Sequence, residues 1–356
     1  MLDFRSDTVT QPTQAMRDIM ASAPLGDDVF ADDPSVKSLQ NYAAELLGFE
    51  TALFAPSGTM TNLMALMSHC QRGDEAIVGQ QWHTYRWEGG GMAVLGSIQP
   101  QPIANQPDGT ISAQDIVAAI KPDDPHFART KLLVIENTTG GKVLPLSYMQ
   151  QMSALAKQYG LACHIDGARL MNAAVSLPGD PYDNARALCQ GFDSVSLCLS
   201  KGLGAPVGSL LLGSTEFIHR AKRVRKMLGG GMRQAGLLAA AGEYALRHHV
   251  NRLANDHQLA AALCSQLRVL INELGLSTQV VVHDAHTNML FIDMDAGLAG
   301  RWLPQLAQQQ VKLTSSQYQT QGAAWVRLRL VTHLDLPENT LELTLQAFRA
   351  SAPLVR

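Results

Sequence analysis

The chain has 356 residues, 46% hydrophobic and 17% charged, which excludes a disordered chain and leaves room for one large domain and a smaller one. Lys and Arg total 28 against 31 Asp and Glu, a net charge of −3, and no basic run is interleaved with aromatics as a nucleic-acid footprint would be. Five cysteines, an odd number with no Cys-x-x-Cys pair, suggest neither a disulfide frame nor a zinc site, and fit reduced thiols in the cytoplasm.

The amino-terminal MLDFRSDTVT carries charges where a secretory signal needs an apolar run, and nowhere do eighteen apolar residues stand together, so no membrane partner is expected. From about residue 35, strand-length apolar runs alternate with amphipathic helical stretches. SVKSLQNYAAELLG (35–48) reads as a helix, EAIVG (75–79) as a strand and ISAQDIVAAI (111–120) as a helix. TKLLVIEN (130–137) is a strand, LSYMQQMSALAKQYG (146–160) a helix, and LACHID (161–166), FDSVSLCLS (192–200) and GSLLLG (208–213) are strands. Continuous apolar strands separated by helices predict a mainly parallel sheet covered on both faces, with ligands beyond the carboxyl ends of its strands.

Two helices follow, over 235–250 and 257–275, then strands within 280–294 and 324–332, with helices expected around 301–310 and 337–350. The change of texture places a domain boundary near residue 250, giving a large domain, 1–250, with an amino-terminal arm, and a small α+β domain, 251–356.

Three places combine a chemically useful residue with a useful location. APSGTMTNLMAL (55–66) is a turn entering a helix, with Ser57, Gly58 and Thr59 at its start; free N–H groups and hydroxyls there suit a phosphate, although a plain N-cap uses the same residues. HIDGARL (164–170) ends a strand on Asp166, placed to hold a protonated ring nitrogen or merely to cap the next helix with Arg169 beside it. SVSLCLSKGLG (194–204) ends a strand on Lys201, either a solvent-facing terminus or an amine for Schiff-base chemistry. Anion cradle, pyridinium partner and reactive amine are the parts a pyridoxal phosphate site requires, and their conjunction is far more specific than any one of them. A fourth segment, HRAKRVRK (219–226), is basic; running into MLGGGMRQAG, it fits a solvated helix face, an anion site or a nucleic-acid contact.

Through FRSDTVTQPT (4–13), HTYRWEGGG (83–91), HIDGARLMNAA, CLSKGLGAPVGSLL and RLVTHLD (329–335), the chain resembles the low-specificity L-threonine aldolases of the β-eliminating lyase group. The shared blocks run nearly end to end and also include GDDVFADDP (26–34), the ENTTGGKVLPL region and RKMLGGGMRQAG. The resemblance implies a fold-type-I, aspartate-aminotransferase-like architecture, an αβα large domain with a smaller α+β domain. It also implies pyridoxal 5'-phosphate (PLP) as cofactor, reversible cleavage of L-threonine, L-allo-threonine and related β-hydroxy-α-amino acids to glycine and an aldehyde, and a homotetramer, a dimer of dimers with shared sites. Another fold-type-I activity, β-elimination or transamination, is the alternative within enzymes.

Carried over residue by residue, the resemblance makes Lys201 the Schiff-base lysine and Asp166 the partner of the pyridine nitrogen. Ser57, Gly58 and Thr59 would hold the phosphate and His83 would stack on the ring. Ser6, Arg169 and Arg329 would take the substrate carboxylate, Arg169 also lying near the ring oxygen. His126 matches a second active-site histidine, and Lys226 and Arg233 match basic residues near the site, contributed across a subunit interface. His83 and His126 are the candidate proton acceptors, beside a water held by the phosphate. His83, next to TYRW, could equally be a packing residue, and Arg327 competes with Arg329 on the same strand face. The chain departs from the family pattern at Phe30-Ala31-Asp32-Asp33-Pro34, at ENTTGG, which lacks the family's usual histidine and asparagine, and at a longer SLPGDPYDNA. These bear on the substrate pocket rather than on the cofactor set.

Overall fold

A computed structural model describes residues 1–320 and 322–352. Its contacts divide the chain into two compact units, Pro12–Asn251 and a second made of Met1–Gln11 with the described residues from Arg252 onward. The first eleven residues, read from sequence as an arm of the large domain, therefore group with the C-terminal unit. The reason lies in pairing and burial: strand β1 (Leu2–Asp3) runs parallel to a strand more than three hundred residues later, and Phe4 is fully buried in that unit's core.

The large unit is built on seven strands, β2 (Thr51–Ala55), β3 (Asp74–Gly79), β4 (Gln99–Ile103), β5 (Arg129–Glu136), β6 (Ala162–Gly167), β7 (Ser194–Cys198) and β8 (Ser209–Gly213). They lie in the order β2-β8-β7-β6-β5-β3-β4. The run from β7 to β4 is parallel, and β8 pairs antiparallel with both β7 and β2. The central strands are buried along almost their whole length, as expected where helices cover a sheet. Helix Gly58–His69 packs on β7 and β8, helix Leu146–Gln158 on β6, and helix Pro34–Leu47 on β2.

The strand QPQPI, β4, carries two prolines and lies at the sheet edge, where a missing N–H costs least. At the other side of the sheet the turn from β7 into β8 needs glycine. Gly208 has φ +119°, and a Cβ there would come 2.4 Å from Cε2 of Phe54. Gly208→Ala is expected to destabilise the chain by about 2–4 kcal/mol, combining overpacking with a disfavoured backbone region, read as a lowered urea midpoint. An unchanged midpoint would mean that Phe54 yields freely.

In the smaller unit β9 (Val280–Val282), β10 (Met289–Asp295), β12 (Thr314–Thr320) and β13 (Ala323–Val331) form an antiparallel sheet ordered β12-β13-β10-β9, while β11 (Val311–Lys312) pairs with β1. Helices Leu253–Glu273, Ala296–Gln308 and Thr340–Ser351 accompany the sheet. Its core holds Phe4, Leu263, Leu267, Trp302, Leu328 and Phe348, all 0–1% exposed.

Candidate active site

Three neighbouring parallel strands present their carboxyl ends together. Glu136 of β5 stands in register with Asp166 of β6, and Asp166 with Ser196 of β7, so the chain leaving β7 carries Lys201 out at the same edge. The Lys201 turn is closed by its own backbone: Gly204 N donates to Lys201 O at 2.8 Å and Ala205 N to Leu199 O at 3.1 Å. A small cleft beside it is lined by Arg169, Asn172, Cys198, Lys201 and Leu203. The structure thus brings Lys201, Asp166 and Arg169 into one neighbourhood.

Asp166 is 1% exposed, and its carboxylate is held from two sides. Asn62 Nδ2, from helix Gly58–His69, donates to Oδ2 at 2.9 Å, and the backbone N of Ala168 donates to Oδ1 at 3.1 Å. The same Asn62 nitrogen donates to Glu88 Oε1 at 2.8 Å, and that oxygen lies 2.9 Å from His83 Nδ1. The Glu88 side chain is 4% exposed, whereas that of His83 keeps 41%, leaving part of the imidazole open to a planar group. The His83 backbone N donates to Glu136 Oε2. His83, Glu88 and Asp166 each place a possible metal-ligand atom within 4.8 Å of the others, but one amide NH2 already donates to both carboxylates, so hydrogen bonding accounts for the cluster.

Three carboxyl groups so close cannot all ionise freely. Burial raises the Glu88 carboxyl, opposed mainly by the His83 hydrogen bond, and the Asp166 charge raises it further. Glu136 is pushed up to about 8 by burial, then by the Asp166 charge, against the His83 N–H and the charges of Lys201 and Arg169. The folded chain therefore holds a proton on Glu136 that the unfolded chain has released, from about pH 4.5 up to about pH 8. Its stabilising contribution, complete at low pH, is lost as pH rises through that window and stays constant above it. In cofactor-free protein, Glu136→Gln should gain on the native chain by about 1 kcal/mol per pH unit between pH 5.5 and 8, measured by urea unfolding. Parallel curves would place an ionised Glu136 in the fold.

At the phosphate end, Ser57 caps helix Gly58–His69, its Oγ accepting from Met60 N at 3.2 Å. The capping reading of Ser57 is thus correct, and it coexists with an anion site because other first-turn N–H groups have no partner within the helix. Ser209 Oγ is buried with no hydrogen-bond partner and lies 3.5 Å from where a Gly58 Cβ would stand. An orphaned hydroxyl beside a glycine-opened helix start is what a phosphate oxygen would satisfy, so the residues present fit PLP.

The remaining sequence-derived residues fall elsewhere. Ser6 caps a short 3-10 turn through Thr8 N, and Arg329 on β13 donates to Arg5 O at 3.0 Å, both within the smaller unit. Arg327, the competitor, is taken by Asp293 through two bonds of 2.7 and 2.6 Å. His126 has an 86% exposed side chain hydrogen-bonded to Asp124, and precedes β5, whose opposite end carries Glu136. Within the basic segment Arg225 is buried on Asp28 and the Phe54 carbonyl, Lys226 is exposed, and Arg233 lies 3.3 Å from Asp27. His126, Lys226 and Arg233 thus do not join the Lys201 cluster of their own chain among the described contacts. Sequence reading missed Asn62, Glu88, Glu136 and Ser209. Glu136, closing an apolar strand, carried the same signal that exposed Asp166.

A central, mostly parallel sheet with a lysine and an aspartate at adjoining strand ends defines a fold-type-I PLP enzyme architecture. A Leishmania major threonine aldolase structure superposes with TM-score 0.81 at 21% identity, covering 98% of this chain and 99% of that one. A lysine-to-alanine variant of a serine palmitoyltransferase from S. paucimobilis with a bound PLP–myriocin aldimine gives 0.72 at 15% identity, covering 99% and 86%. The chain belongs to the β-eliminating lyase family, whose model matches residues 3–296. It is 50% identical to the low specificity L-threonine aldolase of Escherichia coli K12 over 341 residues, 96% of each chain. No helix among the described residues is long and apolar enough to cross a membrane.

Proposed function

We propose that the protein is a PLP-dependent low-specificity L-threonine aldolase, cleaving L-threonine, L-allo-threonine and related β-hydroxy-α-amino acids to glycine and an aldehyde, reversibly. The observation carrying this reading is 50% identity along 96% of the chain to a curated enzyme of that name. Lys201 is the amine that would hold the cofactor covalently, and Asp166, clamped by Asn62 and Ala168, would keep its ring nitrogen protonated. Ser57, Gly58, Thr59 and the orphaned Ser209 would take the phosphate, and the open part of His83 would lie on the ring. When bound, PLP supplies the sink for the electron pair released at Cα.

The chain's own groups then set which bond breaks. Arg169, Ser6 and Arg329 are proposed for the substrate carboxylate, an anchor that fixes the bonds at Cα in direction. His83 accepts the β-hydroxyl proton as the Cα–Cβ bond opens, and a proton returned to Cα yields glycine. His126, Lys226 and Arg233, all exposed in this chain, are assigned to the site of a neighbouring copy in a homotetramer. The five cysteines are free and buried, in keeping with a cytoplasmic protein.

Incubation with L-threonine tests the reading. Equimolar acetaldehyde and glycine are expected; ammonia with 2-oxobutyrate would assign β-elimination instead, and amino transfer to an added oxo acid would assign an aminotransferase.

A further inference from the structure

A chain of hydrogen bonds reaches Asn62 from the other end of its own helix, Gly58–His69. His69 Nε2 lies 2.7 Å from Ser194 Oγ, which lies 2.8 Å from His164 Nδ1; His164 Nε2 is 3.4 Å from Asn62 Oδ1. Burial lowers both histidines to about 3, with the Arg220 charge adding to the effect at His69 and the His69 charge at His164. Both rings are neutral at working pH, so each carries a single N–H and the direction of every bond can be worked out.

The direction is set at Asn62. Carboxylate oxygens only accept, so the amide NH2 faces Asp166 and Glu88, and Oδ1 faces His164, whose Nε2 must carry the hydrogen. His164 Nδ1 then accepts from the Ser194 hydroxyl, and Ser194 accepts from His69 Nε2. At the other end Glu88 Oε1 takes the Asn62 hydrogen bond and faces His83 Nδ1 as well. With Glu88 ionised, or carrying its proton on Oε2, Oε1 accepts from both neighbours and His83 Nδ1 holds the hydrogen.

We infer that Glu88, oriented by Asn62 and His164, is a positioning residue that fixes His83 with its hydrogen on Nδ1, leaving Nε2 as the ring atom that exchanges a proton with the substrate. The inference rests on the aldolase reading and deepens it. Glu88 is bonded to Asn62 and His83, and in this inference acts through His83. Without it the ring could carry its hydrogen on Nε2, where no lone pair would remain for the β-hydroxyl proton.

The tautomer can be read without substrate, by magic-angle-spinning NMR of the 15N-histidine-labelled protein as purified, with the His83 signals identified by their loss in His83→Gln. A protonated Nδ1 and an unprotonated Nε2 are expected in the native chain and in Glu88→Gln, whose amide oxygen can still accept. In Glu88→Leu the Nε2–H form should become dominant. With L-threonine, kcat should fall on the order of 100-fold in Glu88→Leu and about 10-fold in Glu88→Gln, with KM within about threefold in both. If Glu88→Leu does not fold, the native and Glu88→Gln spectra still decide. A native Nε2–H tautomer, or kcat unchanged in a folded Glu88→Leu, would overturn the inference. Absence of threonine cleavage alongside the expected tautomer would instead overturn the aldolase reading.

Discussion

Lys201→Ala is expected to lower threonine cleavage by at least about 1,000-fold and to abolish the visible absorbance of the purified protein, while leaving its folded structure intact. The lysine sits on a turn closed by its own backbone bonds, Gly204 N to Lys201 O and Ala205 N to Leu199 O, neither of which uses its side chain. The loss should therefore appear in chemistry rather than in stability. Added amines of small size should restore part of the rate, because the missing function would be an imine-forming nitrogen at one place. An alanine variant retaining a tenth or more of the native rate would remove Lys201 from the centre of the account.

Asp166→Asn is the second large effect, and its size follows from electrostatics. The carboxyl group is 1% exposed and receives two fixed donors, Asn62 Nδ2 and Ala168 N, so its oxygens are oriented before any substrate arrives. Asparagine keeps the shape and loses the charge that would hold a ring nitrogen protonated. A fall in kcat on the order of 100- to 1,000-fold is expected, with threonine binding changed much less. The substitution also removes the Asp166 contribution that raises Glu88 and Glu136, so both should titrate at lower pH than in the native chain. A variant with native kcat would assign that partnership to another group.

What the sequence disclosed about these residues was of one kind: a charge where an apolar strand stops. Lys201 after SVSLCLS and Asp166 closing LACHID stood out because interior strands seldom end on a charge without a purpose. Glu136, closing TKLLVIE, had the same form and was passed over because no cofactor part was assigned to it. Asn62, His164 and Ser209 carry no local signal. Their partners lie across the fold, 104 residues from Asn62 to Asp166 and 102 from Asn62 to His164, and only the sheet register brings them together.

The fold was read with similar unevenness. Apolar β5 to β8 were plain, but the proline-bearing β4 and the polar β12, TSSQYQT, are edge strands, whose composition is that of loops. The pairing of β1 with β11 joins Leu2 to Val311, a contact that no sequence window can contain. That is why the first eleven residues were assigned to the wrong side of the chain's division.

The most direct test of the account is to treat the purified protein with borohydride, digest it and identify the modified peptide by mass spectrometry. One reduced pyridoxyl phosphate adduct is expected, on Lys201 within SVSLCLSKGLGAPVGS. An adduct on any other side chain, or none on protein that cleaves threonine, would contradict it.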